Sequence, residues 1–381
     1  MIRREWKKNL RRPLFMCFVL AFPLGVLGYY YQLFGQGVVQ ELPVAVHNAD
    51  QSPMSRKIVR LIDSSPSIHI SHRLTSSEEG REALENGEVY GFIHFPKGFE
   101  KRLLKGEGTE IEYYNSYISM AAGGKISSEL QKIAAMVSAG IEIQFRTKKG
   151  ASQAKAMNDI QPVRLDMHAL SNPYLNYYYF LGTGLSFVAF MLFVLMSSIY
   201  SLGTELRFRT GREWLNSAGG NMWKAVGGKL LPYTVLFMLV AAAYHGVIFG
   251  LAHFPLNGSL WGLFFGYFLL IAASQGLAVL FVSVQPMLRK SLTMGLLVSS
   301  LAFTCAGITF PYESLPRAIQ AIADMLPFTH FVKLFLGQSL RGIPVEFQYS
   351  LMAKLALFTV LFGFVPLLKK RILKPKRKRL L

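Results

Sequence analysis

Six apolar runs constrain this chain more than anything else in it. They cover residues 13–34, 178–200, 230–252, 261–284, 291–310 and 349–368. Each is close to the roughly 20 residues that a helix needs to cross the hydrocarbon core of a bilayer. That core offers the backbone no water, so apolar runs of this length cross it as helices. None of the six carries Asp or Glu near its centre, where a charge costs about 3 kcal/mol on insertion scales. Lys354 lies towards the outer end of the last run, where its ammonium can snorkel to the interface. The first run has the basic flank of a signal peptide but is too long for one. Its Tyr29, Tyr30 and Tyr31 form an interfacial aromatic anchor rather than a small-residue cleavage site. It reads as a retained signal anchor. The two cysteines, Cys17 and Cys305, fall at different depths of the membrane, which argues against a disulfide and against redox or metal chemistry.

Charge placement separates two classes that share a basic, apolar composition. The net charge is +19 with 51% hydrophobic residues, a balance found in membrane proteins with basic loops and in nucleic-acid binders. Residues 35–176 hold 16 basic and 16 acidic side chains, so the excess lies elsewhere. It sits at Arg3–Arg12 before the first run, at Arg207–Lys229 after the second, at Arg289 and Lys290, and at Lys369–Arg379 after the last. The long inserted segment has no basic surplus, so nucleic acid is not expected as a partner. The arrangement follows the positive-inside rule. Six crossings place both termini and all the basic loops in the cytoplasm, with 35–176 and the charge-balanced 311–348 facing outward.

The inserted segment alternates strand-like and helix-like patterns. Strands are expected at Leu42–His47, Ile68–His72, Val89–Phe95 and Ile111–Tyr114. Met54, Ile58, Leu61 and Ile62 recur at helical spacing. Thr75 and Glu78 suit a capping box opening a helix to about Asn86, and a short helix is expected at Phe99–Leu104. A long helix from about Ile118 to Met157 would align Ile126, Leu130, Ile133, Val137 and Ile141, with Gly123-Gly124 and Gly140 as places to bend or break. The expected fold is therefore an α-helical membrane protein with about six transmembrane helices and an α/β or α+β extracytoplasmic domain between the first and second. The domains are an amphipathic N-terminus at 1–12, the first transmembrane helix at 13–34 and the extracytoplasmic domain at 35–176. A five-helix region follows at 177–368, with a cytoplasmic loop at 201–229 and an outer Pro-rich segment at 311–348. A basic tail at 369–381 closes the chain, its ordinary role being to set topology and meet anionic lipid.

No chemistry-bearing motif stands out. Gly124-Lys125 and Gly228-Lys229 lack the first glycine and following hydroxyl of a phosphate loop, so no cofactor is expected on this chain. His69 and His72, three apart on a strand, should face opposite ways and not share a metal. His245 and Gln275 lie inside apolar runs and are candidate pathway residues, although hydrogen bonding between helices is the favoured reading. The absence of an intramembrane carboxylate weighs against an ion-coupled carrier. The loop after the second run is the most informative segment: Glu205, Arg207, Arg209, Thr210, Gly211, Arg212 and Glu213, with Phe208, Trp214 and Leu215 as apolar anchors. It reads equally as an interfacial amphipathic helix or as a docking element for a cytoplasmic partner.

At this loop the chain resembles the permease subunits of type-2 ATP-binding-cassette (ABC-2) exporters, in the subgroup with a large extracytoplasmic loop. Glu205, Thr210-Gly211 and Glu213 stand in the family's acidic segment after the second span, with Thr210-Gly211 reversed from the commoner Gly-Thr order. Gly228-Lys229-Leu230-Leu231-Pro232-Tyr233 stands in its lead into the third. Gly307–Pro311, Leu315-Pro316 and Leu326-Pro327-Phe328-Thr329-His330 match the outer segment thought to form short re-entering helices. The 42–46 strand, the Asn48–Ser52 turn, the Gly91–Pro96 strand and Ser171-Asn172-Pro173 match the subgroup's outer domain and its return to the membrane. The resemblance implies a bacterial inner-membrane location and a second permease, forming a homo- or heterodimer. It also implies a cytoplasmic ATP-binding subunit that carries ATP and Mg, and a periplasmic adaptor as a further partner alongside the lipid bilayer. Glu205, Arg207, Arg209, Thr210, Gly211, Arg212 and Glu213 would then couple the permease to the ATP-binding subunit. The competing reading is a membrane receptor or scaffold whose outer domain binds a ligand or envelope partner without transport.

Overall fold

The structure, a computed structural model, describes residues 4–6, 12–35, 37, 39–105, 107–116, 119–148, 176–285 and 287–373. Ser171-Asn172-Pro173, the last part of the expected long helix and the tail beyond Leu373 lie outside the described residues. The chain divides into two compact units, Met1–Gly37 with Ala169–Leu381, and Val38–His168.

Helix α1, Pro13–Phe34, starts with proline at its first turn, where the missing N–H costs nothing. Val19, Pro23 and Leu27 are its buried residues, at a spacing of four that makes one stripe. Leu14, Phe22, Tyr29 and Leu33 are exposed, as suits a helix whose solvent is lipid on the other sides.

The inserted unit is a four-stranded mixed sheet with helices on both faces. Its elements are β1 (Leu42–Asn48), α2 (Pro53–Asp63), β2 (Ile68–Leu74), α3 (Ser77–Glu85), β3 (Gly91–Phe95), α4 (Phe99–Leu104), β4 (Glu112–Asn115) and α5 (Met120–Lys148). The sheet order is β2-β1-β3-β4; β2, β1 and β3 run parallel and β4 is antiparallel to β3. Val44, Val46, Ile70, Ile93 and Phe95 point to one face, under Ile58, Ile62, Ile126 and Ile133 of α2 and α5. Ala45 and Phe92 point to the other, under Ala83 of α3. Three expectations change in detail. The helix cap sits one residue later, with Ser76 accepting from the Glu79 amide while the Glu79 carboxylate accepts from the Thr75 amide and hydroxyl. Helix α5 runs unbroken through Gly123, Gly124 and Gly140. The β1–β2 register skips at Ser71, so His69 pairs with Pro43 and His72 with Ala45. That extra residue turns His69 and His72 onto the same face, against the simple alternation of a regular strand. Among the described residues no group of three potential metal ligands exists.

The membrane unit resumes at α6, Tyr178–Arg207, which opens with a π-helical turn at Tyr178–Gly182. It runs past the expected boundary near residue 200 and carries Glu205 inside its last turn. Then come α7 (Gly211–Asn216), α8 (Met222–Leu251), α9 (Leu260–Val284) and α10 (Leu288–Cys305). Two short helices, α11 (Arg317–Asp324) and α12 (Pro327–Ser339), are bent by 87° to each other. The last is α13, Val345–Leu373. Helices α1, α6, α8, α9 and α13 are each long and apolar enough to cross a membrane, and the bent pair passes that test jointly. The expected fifth span, 291–310, is α10, which ends at Cys305. Its 18 residues rise about 27 Å, short of a hydrocarbon core of about 30 Å. The chain is thus a helical membrane protein with five to six candidate spans and an inserted mixed-sheet domain. An aromatic core holds the unit together. Phe187 of α6 lies 4.5 Å from Phe335 of α12, and Tyr267 of α9 lies 5.1 Å from Phe331.

Candidate functional site

The basic end of the membrane unit is built around one buried cation. Lys229 lies two turns into α8 and is fully buried. Its Nζ donates to Glu205 Oε1 at 2.7 Å and to Glu5 Oε1 at 2.8 Å. Both carboxylates are about 1% exposed. The Lys229 ammonium also lies 5.3 Å from the centroid of the Trp214 ring, on α7. The Thr210 hydroxyl donates to the second Glu205 oxygen. Three segments far apart in sequence therefore meet at a single ammonium: residues 4–6, the end of α6 and the start of α8.

Local sequence explains how each part is presented. Asn221 caps α8 by accepting from the Trp223 and Lys224 amides, which sets the direction in which Lys229 leaves the helix. Arg209 has a left-handed backbone, φ 60°, and this reverses the chain between α6 and α7. Gly211 follows, close enough to α13 that an added Cβ would lie 3.1 Å from Ile372. Trp214 is fully buried and donates from Nε1 to the Ala225 carbonyl at 3.2 Å, tying α7 to α8. Arg4 donates to Ser217 at 3.2 Å and so fixes the N-terminal segment under α7. Arg212 and Lys369 donate to the Leu373 and Gly220 carbonyls, joining the end of α13 to the same loop.

The residues singled out from sequence fall into two groups. Glu205, Thr210 and Gly211 are internal: Glu205 and Gly211 are buried, and Thr210 is half-buried on Glu205. Glu205 is therefore no part of an exposed docking face, because α6 extends one turn further and turns its carboxylate inward. Arg207, Arg209, Arg212 and Glu213 are exposed around the turn above it. Glu5 was not singled out, and Lys229 only as part of the Gly228-Lys229 pair leading into the third span, not as a site residue. Their signals were a lone acid in a basic N-terminus and a lysine followed directly by the apolar Leu230-Leu231-Pro232 run of α8.

The two candidate pathway residues lie elsewhere and do not meet. Gln275 of α9 is buried and donates to Thr234 Oγ1 of α8 at 3.0 Å, so it joins two helices. His245 lies between Phe249 and Phe264, with ring centroids at 4.3 and 5.2 Å. Its Nδ1 is buried without a hydrogen-bond partner among the described residues.

Comparison with known proteins identifies the architecture. No curated protein and no solved structure matches the chain. The family model described as "ABC-2 family transporter protein" matches residues 13–368, which span the first helix, the inserted domain and every later membrane helix. The chain therefore belongs to the ABC-2 family of transporter proteins, as a membrane component.

Proposed function

We propose that this chain is the permease of an ATP-driven exporter, which moves its substrate outward while a separate cytoplasmic subunit binds and hydrolyses ATP. The observation that carries the reading is the Glu5–Lys229–Glu205 cluster beneath an exposed turn of mixed charge. A rigid cluster joining two spans and the N-terminal segment is suited to transmit a push on that turn into the helices. Arg207, Arg209, Arg212 and Glu213 supply the contact surface, and Glu205, Thr210 and Gly211 brace it from inside. Two permeases form the pathway, each with one ATP-binding subunit docked on its basic end. Both termini then lie in the cytoplasm, and the inserted domain lies outside the bacterial inner membrane, where it can meet a periplasmic adaptor.

The test is co-expression with a candidate ATP-binding subunit from the same genome, followed by purification in mild detergent and an ATPase assay. The expected result is a stable complex with ATPase activity. Combined Arg207→Glu and Arg209→Glu should dissociate it, since reversing exposed charges that face a partner opposes docking. A chain that elutes alone while every folded candidate subunit is present would instead favour a receptor or scaffold whose inserted domain binds a ligand.

A further inference from the structure

A groove runs along the lipid-exposed side of the membrane unit at its basic end. Its floor is α6, through Met196 and Tyr200. One wall is α1, through Phe15 and Phe18, and the other is α10, through Leu292. Phe15 packs on Tyr200 with centroids 5.0 Å apart, and Phe18 on Phe193 at 5.1 Å, so this wall is firmly seated on the floor. The open groove has a volume of about 600 Å³, within the range of about 300–1,000 Å³ typical of small-molecule sites. Arg12 and the exposed Phe208 close the end nearest the basic loop.

Chemistry is sharply divided along this groove. The walls and floor are apolar apart from the Tyr200 hydroxyl, and no acidic side chain lines them. Water is a poor occupant of such a slot in a bilayer, so hydrocarbon fills it. The rim is cationic. Arg12 makes no ion pair among the described residues, and the Arg207 guanidinium lies 5.4 Å from the ring centroid of Phe208 on the same rim. The first turn of α1 has neither an acidic residue nor a side-chain cap, which adds positive partial charge beside Arg12. An arginine at the hydrocarbon boundary is costly unless an anion meets it.

We propose that this groove holds one anionic phospholipid of the surrounding bilayer. Its phosphate pairs with Arg12, and one acyl chain lies on Met196 and Tyr200 between Phe15 and Leu292. Charge complementarity selects the headgroup, and the apolar floor selects a chain-bearing molecule over a free phosphate. The lipid would sit against Phe208, three residues beyond Glu205, and so become part of the packing of the basic loop.

The experiment uses the full chain reconstituted in vesicles, with Leu292→Trp as a fluorescent reporter in the groove. Leu239→Trp serves as a reporter on an exposed face of α8, where Leu239 is 62% exposed. Quenching is measured with brominated phosphatidylglycerol and brominated phosphatidylcholine, each against the parent protein. The groove reporter should prefer the anionic lipid by roughly five-fold, as one basic side chain near a charged lipid surface provides. The α8 reporter should show no preference, and free inorganic phosphate should leave the quenching unchanged. Arg12→Gln should abolish the preference and Arg12→Lys should retain most of it, with gel-filtration elution confirming that both variants are folded. Equal quenching by the two lipids at Leu292→Trp would overturn the proposal, as would the same preference at both reporters. Absence of quenching by either lipid would mean that a second copy of the chain covers the groove, and would overturn it as well.

Discussion

A fully buried ammonium is tolerable only beside compensating charge, and Lys229 has two carboxylates. Replacing Lys229 with Met would strand Glu5 and Glu205 without their cation. The expected loss is about 3–5 kcal/mol of stability, read as a lowered unfolding midpoint in detergent. Replacing all three with apolar residues of similar volume should recover most of that stability but not ATPase stimulation. Full activity in the triple variant would remove the transmission role assigned to the cluster. In the inserted domain, His47 and His94 stack at the ends of the parallel strands β1 and β3, with Nδ1 atoms 3.1 Å apart and Ser77 Oγ 3.2 Å from His47. Partial burial, and then the neighbouring His94, lower the His47 pKa below its ordinary 6.5; Glu79, Glu78 and Lys97 also act on it. The unfolded chain then binds the extra proton more readily. This contribution to stability is complete above pH 6.5 and is lost as pH falls through the lower folded value. Hydrogen-exchange protection factors over residues 42–48, taken against the intrinsic rate at each pH, should therefore fall on acidification, and His47→Asn should flatten that dependence.

Helix contacts in the membrane unit depend on close approach as much as on apolar character. Gly276 of α9 faces α13 so tightly that an added Cβ would lie 2.8 Å from the Phe358 carbonyl oxygen. Phe358 begins a 3₁₀ stretch, Phe358–Phe364, within α13. Gly276→Val should drive these helices apart and cost about 1–3 kcal/mol. Gly124 in α5 meets nothing within 4 Å, so Gly124→Ala should stabilise that helix by about 0.5–1 kcal/mol. Thermal unfolding of the two variants separates these opposite signs. Strands and helices of the inserted domain were legible because period-two and period-3.6 patterns are local. The slip at Ser71 was not, since a bulge depends on which residues a partner strand presents. The end of α6 was also misplaced. Arg207 and Glu205 look like loop residues by polarity, but tertiary burial of Glu205 on Lys229 keeps the last turn helical.

At the scale of the whole molecule, sidedness is the first property to test. In a chain with Cys17→Ser and Cys305→Ala, Glu85→Cys on α3 and Asn216→Cys on α7 should react with an impermeant maleimide from opposite sides of sealed vesicles. Reaction of both from the same side would require an even number of crossings between them, against the single crossing assigned to α6. The membrane class and the inserted mixed domain followed from sequence alone. Run length, hydrophobic period and charge placement are sums over neighbouring residues, and the bilayer filters them strongly. Only tertiary structure decided that Glu205 is buried rather than exposed, that Glu5 and Lys229 pair with it, and that α11 and α12 meet at 87°. Lys229 and Glu5 are 224 positions apart. No local pattern encodes such a pair, because its energy comes from shared desolvation that exists only once the helices have packed.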